Sequence, residues 1–224
     1  MRYPAPYPVY LMPSTDRAPW ESDPQGPMVL PGNYSVTLSS RVEGRLAEIG
    51  AAQEFALKPL FSGGLVAENR NDVLKFQAKT AELYRAVMGA NRAAGEIETR
   101  IKHLLQAVED TPGATEQQAA SVRQLNARMQ ELQVGLRGDR TVTSRSEPAP
   151  MSLTARIRTI AGGSWESQSA VTGNYRDSYD VAAAQFPEIL GELKAIDADL
   201  ANLEAELEAE GAPWTPARLP DWRK

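Results

Sequence analysis

The strongest constraint on the fold is a largely apolar repeat that runs through residues 73–108 without a break. Its positions follow one another at alternating steps of three and four, which is the spacing of one face of an α-helix. They are Val73, Phe76, Thr80, Leu83, Val87, Ala90, Ala94, Ile97, Ile101, Leu104 and Val108. The repeat predicts a helix over residues 71–109, capped by Asn71 or Asp72 and about 58 Å long. A helix of this length has to bury its stripe against other helices.

A second helix is predicted directly after a turn at residues 110–113. Thr115, with Gln118 three residues later, forms a capping box that predicts a helix over residues 115–137. Its apolar stripe consists of Val122, Leu125, Met129, Leu132 and Leu136. Residues 138–150 carry charges, hydroxyl groups and prolines without an apolar period, and they are predicted to form a flexible linker.

Two further helices are predicted beyond the linker. A short one covers residues 153–161, with Leu153, Ile157 and Ile160 on its apolar face, and ends at Gly162-Gly163. The last helix starts between Thr172 and Tyr175 and is stopped by Gly211 and Pro213. Its stripe is Tyr179, Ala182, Phe186, Ile189, Leu193, Ile196, Leu200, Leu203 and Leu207. Pro187 removes a backbone hydrogen bond, so a kink or break is expected near residues 183–187.

The lengths of these helices predict how they pack. The first and last are matched in length, and if they pack antiparallel they leave a groove that the two shorter helices can cover in succession. The fold class is therefore predicted to be mainly α, an elongated antiparallel bundle of three to four helices over residues 63–224.

The N-terminal part, residues 1–62, has a different pattern. Residues 1–33 hold eight of the chain's 16 prolines, which disfavours helix. After a turn at residues 31–33, Tyr34, Val36 and Leu38 alternate with polar residues, the period of a half-buried β-strand. A second strand is predicted around Phe55 and Leu57. The segment that connects the two strands could itself contribute a further strand. Because so few strands do not form a stable sheet alone, the first 60 residues are predicted to be poorly supported or exposed on one side.

Composition and charge exclude several classes of function. The formal net charge is −5 and the sequence pI is near 5.1, which argues against a nucleic-acid partner. The chain has no cysteine, so disulfides and thiolate metal sites are excluded. The N-terminus has neither a signal-peptide pattern nor an apolar run long enough to span a membrane.

No residue set in the sequence predicts catalysis, a cofactor or a bound metal. His103 is the only histidine and is interpreted as an ordinary helix-surface residue. The alternating carboxylates Glu204, Glu206, Glu208 and Glu210 are interpreted as a solvated face, and Asp177 and Asp180 as charges near a helix start. Trp20, Trp165, Trp214 and Trp222 lie outside the stripes and are interpreted as anchors for loops and tails, rather than as a sugar platform. Asn33-Tyr34-Ser35 matches a glycosylation acceptor, a weak signal.

Three segments resemble a known family. Arg2-Tyr3-Pro4, Gly26-Pro27 through Leu38, and residues 55–60 resemble the end of the C-terminal Ig-like β-sandwich of large bacterial sortilin-like, BNR-repeat β-propeller proteins of the glycosyl hydrolase type. Residues 152–186 resemble the helical tail that follows in that family, with Leu153, Arg156, Ile157 and Ile160 in its first part. The family usually closes its sandwich with Asp-Pro-Arg, where this chain has Lys58-Pro59-Leu60.

The resemblance implies a partial Ig-like sandwich edge at residues 1–62 and a non-catalytic C-terminal accessory or interaction module. Its partner would be the upstream propeller of the parent protein or another protein, and its location periplasmic or secreted, or cytoplasmic if Met1 is a true start. One alternative is that the parent is a sialidase-like glycoside hydrolase, whose catalytic propeller these residues lack. Another, drawn from the heptads, is a stand-alone coiled-coil adaptor that forms a homo-oligomer.

Overall fold

The structure, a computed structural model, describes residues 1–5, 20, 25–59, 66–220 and 222. Its helices are α1 (Arg70–Asp110), α2 (Glu116–Arg137), α3 (Arg140–Ser144), α4 (Leu153–Trp165) and α5 (Gly173–Ala209). Its strands are β1 (Arg2–Pro4), β2 (Gln25–Met28), β3 (Gly32–Val36), β4 (Ser39–Val42), β5 (Arg45–Glu48) and β6 (Gln53–Leu57). The prediction of a mainly helical bundle with a small β part is confirmed. The predicted boundary between residues 62 and 63 lies outside the described residues.

Side-chain caps fix where the helices begin. The Oγ1 of Thr115 accepts a hydrogen bond from the Gln118 amide, and the Gln118 side chain bonds back to the Thr115 amide, so the predicted capping box is confirmed. Thr172 caps α5 within the predicted interval. The predicted cap of α1 is wrong, because Asn69 performs this role by accepting a hydrogen bond from the Asn71 amide at 3.0 Å.

The two long helices run parallel, contrary to the predicted antiparallel packing. Phe76 and Tyr179, each near the start of its helix, have ring centroids 5.8 Å apart. Near the other end of the bundle, Arg100 of α1 contacts Glu204 of α5 at 2.6 Å. The chain travels back between them through α2 and then α4, and this return places the start of α5 beside the start of α1.

The shorter helices cover the groove between α1 and α5 in succession, as the sequence predicts. Arg137 at the end of α2 donates a hydrogen bond to the Asn91 carbonyl of α1 at 2.6 Å. Further along the same direction, Gln77 of α1 donates to the Ser164 carbonyl of α4 at 2.6 Å. Together α2 and α4 form the descending part of an up-down-up bundle.

The predicted stripes form one continuous core. The buried stripe residues of α1, α2, α4 and α5 pack in a single cluster, in which Ile101, Met129, Ile157 and Ile196 are fully buried. Burying each side chain of this size contributes about 1.5–3 kcal/mol, so the stripes are the main source of stability. Leu83, Tyr179, Ile189 and Leu203 are only partly buried at the margin of the cluster.

Three local predictions differ from the structure. The predicted linker contains the single-turn helix α3, which Asp139 caps and which buries no residue. Helix α4 continues past Gly162-Gly163 to Trp165. Helix α5 is continuous through Pro187, so of the expected kink or break the break is absent. Pro187 lies on the exposed side of α5, where water can bind the carbonyl group that the proline leaves without a partner.

Strands β1 and β2 attach the N-terminal part to the bundle. They pair antiparallel, with Arg2 opposite Met28. The guanidinium group of Arg2 donates to the Trp165 carbonyl at 3.3 Å and to the Glu166 carboxylate at 2.7 Å, both at the end of α4. Gly26 is required here because a Cβ at this position would lie 2.5 Å from the Pro4 carbonyl oxygen. These contacts fix β2 beside the start of α1 and the end of α4.

Residues 32–57 form one long antiparallel hairpin, which we call the β-hairpin. Its base pairs β3 with β6, and its tip pairs β4 with β5. Glu43 and Gly44 have φ of 51° and 81°, the two positive values of a type I′ turn. The predicted strands around Tyr34 and Phe55 are confirmed as β3 and β6, and the connection between them supplies β4 and β5.

Candidate functional site

The β-hairpin has one apolar and one polar face. Side chains of residues directly opposite one another lie on the same face, and Tyr34 pairs with Phe55. The amide of Ile49 donates to the Leu38 carbonyl at 2.7 Å, which pairs these residues as well. One face carries Tyr34, Val36, Leu38, Val42, Ala47, Ile49, Phe55 and Leu57, with Ser40, Arg45 and Gln53 as its polar members, and we call it the apolar face. The polar face carries Asn33, Ser35, Thr37, Ser39, Arg41, Glu48 and Glu54, with Leu46 and Ala56 as apolar exceptions.

The apolar face is open to solvent. Val36 is 55% exposed, Leu38 65%, Val42 66% and Ile49 51%. At the base of the β-hairpin, Tyr34 stacks on Phe55 with ring centroids 6.0 Å apart, and its hydroxyl donates to the Leu30 carbonyl at 2.6 Å. Residues on the opposite face, such as Leu46, are exposed as well, so for the β-hairpin the predicted poor support is confirmed and the exposure is not limited to one side. An exposed, mainly apolar surface of this kind is typical of a protein interaction site.

One of the four alternating glutamates is buried, so the interpretation of a fully solvated face is wrong for it. The side chain of Glu204 has no exposed surface and accepts hydrogen bonds from Arg100 at 2.6 and 3.2 Å. The hydroxyl of Thr215 donates to the same carboxylate at 2.8 Å. The hydrogen bonds that Arg100 donates to Glu204 raise the pKa of Arg100. This network fixes the C-terminal tail, residues 211–220, against α1 and α5.

A second glutamate on α5 holds the same tail. Arg218 donates two hydrogen bonds to the carboxylate of Glu208, at 2.6 and 2.7 Å. These bonds lower the pKa of Glu208 and raise that of Arg218. Because both carboxylates are bound by arginine, neither is placed as a general acid or base for an external substrate. Glu206 and Glu210 are exposed, as the sequence predicts.

The other sequence candidates show no shared site. His103 is exposed on α1, as predicted, and Asp177 and Asp180 are exposed beyond the first turn of α5. Trp165 is buried, with its ring centroid 5.7 Å from that of Tyr84, but it is the last residue of α4, so it anchors the end of a helix and not a loop or tail. Trp20, Trp214 and Trp222 are exposed, so their interpretation as anchors is wrong. Asn33 lies exposed on the polar face of the β-hairpin.

The described residues of the bundle form grooves, and the largest of the described ones is lined mainly by α1 and the segment before α5. A groove of about 940 Å³ lies where α1 and α5 begin. One of its walls carries Lys79, whose Nζ lies 4.0 Å from the ring centroid of Tyr179 and 5.1 Å from that of Phe76, so this ammonium group is already engaged. Within the described part of the chain, no three His, Asp or Glu side chains come together as a metal site. None of the helices there is long and apolar enough to cross a membrane.

Comparisons of the chain with protein-family models, with curated proteins and with solved structures found no match. Within the described residues, the β-hairpin exposes the large apolar side chains Val36, Leu38, Val42 and Ile49 to solvent. The sequence contains one indication that Glu204 is buried, although the alternation of the four glutamates obscures it. Glu204 lies four residues after Leu200 and three before Leu207, which places a charge beside the apolar stripe.

Proposed function

We propose that this chain is a non-catalytic accessory or interaction module, the C-terminal region of a larger secreted sortilin-like β-propeller protein. In this proposal the β-hairpin completes a β-sandwich whose other strands belong to the parent protein. The observation that carries the proposal is the solvent-exposed apolar face of the β-hairpin. The sequence resemblance to the end of an Ig-like sandwich supports the same partner.

The energetics of the β-hairpin favour a covering layer. A two-stranded hairpin is only marginally stable in water, because one of its faces has nothing to pack against. Covering Val36, Leu38, Val42 and Ile49 removes four large apolar side chains from water, each worth about 1 kcal/mol or more. A second sheet packed about 10 Å away, as in a β-sandwich, supplies such a layer.

The two other candidate functions have less support from the described residues. For a coiled-coil adaptor, the heptad stripes would have to face a second chain, but they are buried within this bundle. For a glycoside hydrolase, two carboxylates would have to flank a substrate, but Glu204 and Glu208 are each bound by arginine. In the hydrolase case this chain would shape access to a catalytic propeller located elsewhere in the parent.

A binding experiment tests the proposal. The probe is the polypeptide encoded directly upstream of Met1 in the same reading frame, produced separately and titrated into residues 1–224 by calorimetry. We expect binding, and we expect the double variant Val36→Lys/Leu38→Lys to weaken it at least about 100-fold, because two charges would be buried without partners.

The matched control is Ser35→Lys/Thr37→Lys, which places the same charges on the polar face of the same strand. This control should change the dissociation constant by less than about threefold. The proposal is contradicted if no β-structure is encoded upstream, if the polypeptide does not bind, or if both double variants weaken binding equally.

A further inference from the structure

We infer that the partner of the β-hairpin also adds a β-strand to one of its edges, the edge formed by β3 and β4. This inference rests on the proposed function and deepens it, because it states how the partner is bound. The partner is then a protein with an unpaired β-strand beside an apolar sheet face. The inference follows from the size of the apolar face and from differences between the two edges.

The apolar face is too small to hold a partner by itself. A strand of residues 32–42 is about 37 Å long, and two strands are about 10 Å wide, so the face covers about 400 Å² in projection. A stable interface buries about 800 Å² on each partner. Surfaces next to the face can enlarge the interface, and the unpaired backbone groups of the edges are the nearest ones.

The edge formed by β5 and β6 is interrupted. Val36 pairs with Gln53 and Ser39 with Glu48, so residues 49–52 lie opposite residues 37 and 38. The extra residues form a bulge, in which Gly50 has a φ of 77°. A bulge turns the backbone amides of an edge out of line, and proteins use this feature to prevent strand addition.

The edge formed by β3 and β4 is continuous. No residue from Gly32 to Val42 is a proline or has a positive φ. Arg41 is the only charged residue in this run, whereas Arg45, Glu48 and Glu54 are spread along β5 and β6. Because charged side chains also protect edges, both differences leave the β3–β4 edge as the one open to a strand.

The hydrogen-bond pattern shows which backbone groups are available. The bond from the Ile49 amide to the Leu38 carbonyl fixes the alternation along the tip of the β-hairpin. Ser39 and Glu48 are therefore a non-hydrogen-bonded pair. The backbone amide and carbonyl of Ser39 point out from the β3–β4 edge, and those of Glu48 point out from the β5–β6 edge. The same alternation places the backbone groups of Arg41 on the β3–β4 edge.

This pair gives a matched test. Ser39→Pro removes an outward amide from the β3–β4 edge, and Glu48→Pro removes the equivalent amide from the other edge. Neither change removes a hydrogen bond within the β-hairpin. With the upstream-encoded polypeptide as the probe, we expect Ser39→Pro to weaken binding at least about tenfold and Glu48→Pro to leave it within about threefold.

Amide hydrogen exchange on the unmodified chain provides a second measurement that does not depend on the proline variants folding. Adding the probe should slow exchange at Ser39 and Arg41 at least about tenfold more than at Leu46 and Glu48. Slowing at Leu46 and Glu48 instead, or binding without slowing at either edge, overturns the edge inference and leaves the proposed function standing. Absence of binding overturns both.

Discussion

At the scale of single residues, the least expected feature is the buried carboxylate of Glu204. A buried charge is tolerated only when it is paired and hydrogen-bonded, and Arg100 and Thr215 supply these bonds. The sequence indicated an exposed glutamate because every second residue from 204 to 210 is acidic. It could not show that the C-terminal tail returns over α5 and covers one of the four, since nothing in a local pattern reports a tertiary contact.

The buried pair predicts a large difference between two neighbouring glutamates. Glu204→Gln should lower the free energy of unfolding by about 3 kcal/mol, because Arg100 loses its main partner in a largely buried place. Glu206→Gln, at an exposed position of the same helix, should change it by less than about 0.5 kcal/mol. Urea unfolding followed by circular dichroism measures both. Equal effects would show that the Glu204 pair does not stabilise the fold.

At the scale of elements, Gly163 has a role that the sequence pattern misassigned. Gly162-Gly163 was predicted to end a helix, since paired glycines usually do. In the structure α4 passes through both, and the hydroxyl oxygen of Tyr175 lies 1.9 Å from the position a Cβ on Gly163 would take. Gly163 therefore allows the close approach of α5 to α4, whereas a Cβ on Gly162 would meet open space.

The two glycines give a second pair of opposite expectations. Gly163→Ala should destabilise the protein by about 1–3 kcal/mol, because the Tyr175 ring has to move out of its position. Gly162→Ala should stabilise it by about 0.5–1 kcal/mol, because alanine is the better helix former and meets no neighbour. Thermal unfolding of the two variants beside the parent chain measures the difference. Stabilisation by both substitutions would contradict the described packing of α4 against α5.

Helix positions and faces were predictable, but helix directions were not. The stripe of α2, from Val122 to Leu136, is buried at every predicted position, because an apolar period of 3.6 residues determines which face a helix buries. The parallel arrangement of α1 and α5 depends on where α2 and α4 lead the chain. Equal helix lengths fit either direction, so the sequence did not decide between them.

At the scale of the whole molecule, the bundle and the β-hairpin differ in how complete they are. The bundle buries its stripes in one cluster and ties its tail down through Glu204 and Glu208. The β-hairpin exposes the apolar face that its alternating residues define. The sequence predicted this contrast from the small number of strands, because two or three strands cannot bury a face by themselves.

Amide hydrogen exchange along residues 1–224, without any added partner, tests the central claim most directly. The account predicts that amides in the bundle core, such as those of Ile101, Leu125 and Ile196, exchange only when the whole protein unfolds. The free energy of this opening is about 5–15 kcal/mol. The paired amides of Ser40 and Ala47 in the β-hairpin should exchange with an opening free energy at least about 3 kcal/mol lower. Equal protection of the β-hairpin and the core would show that this chain covers the apolar face itself, and would contradict the account.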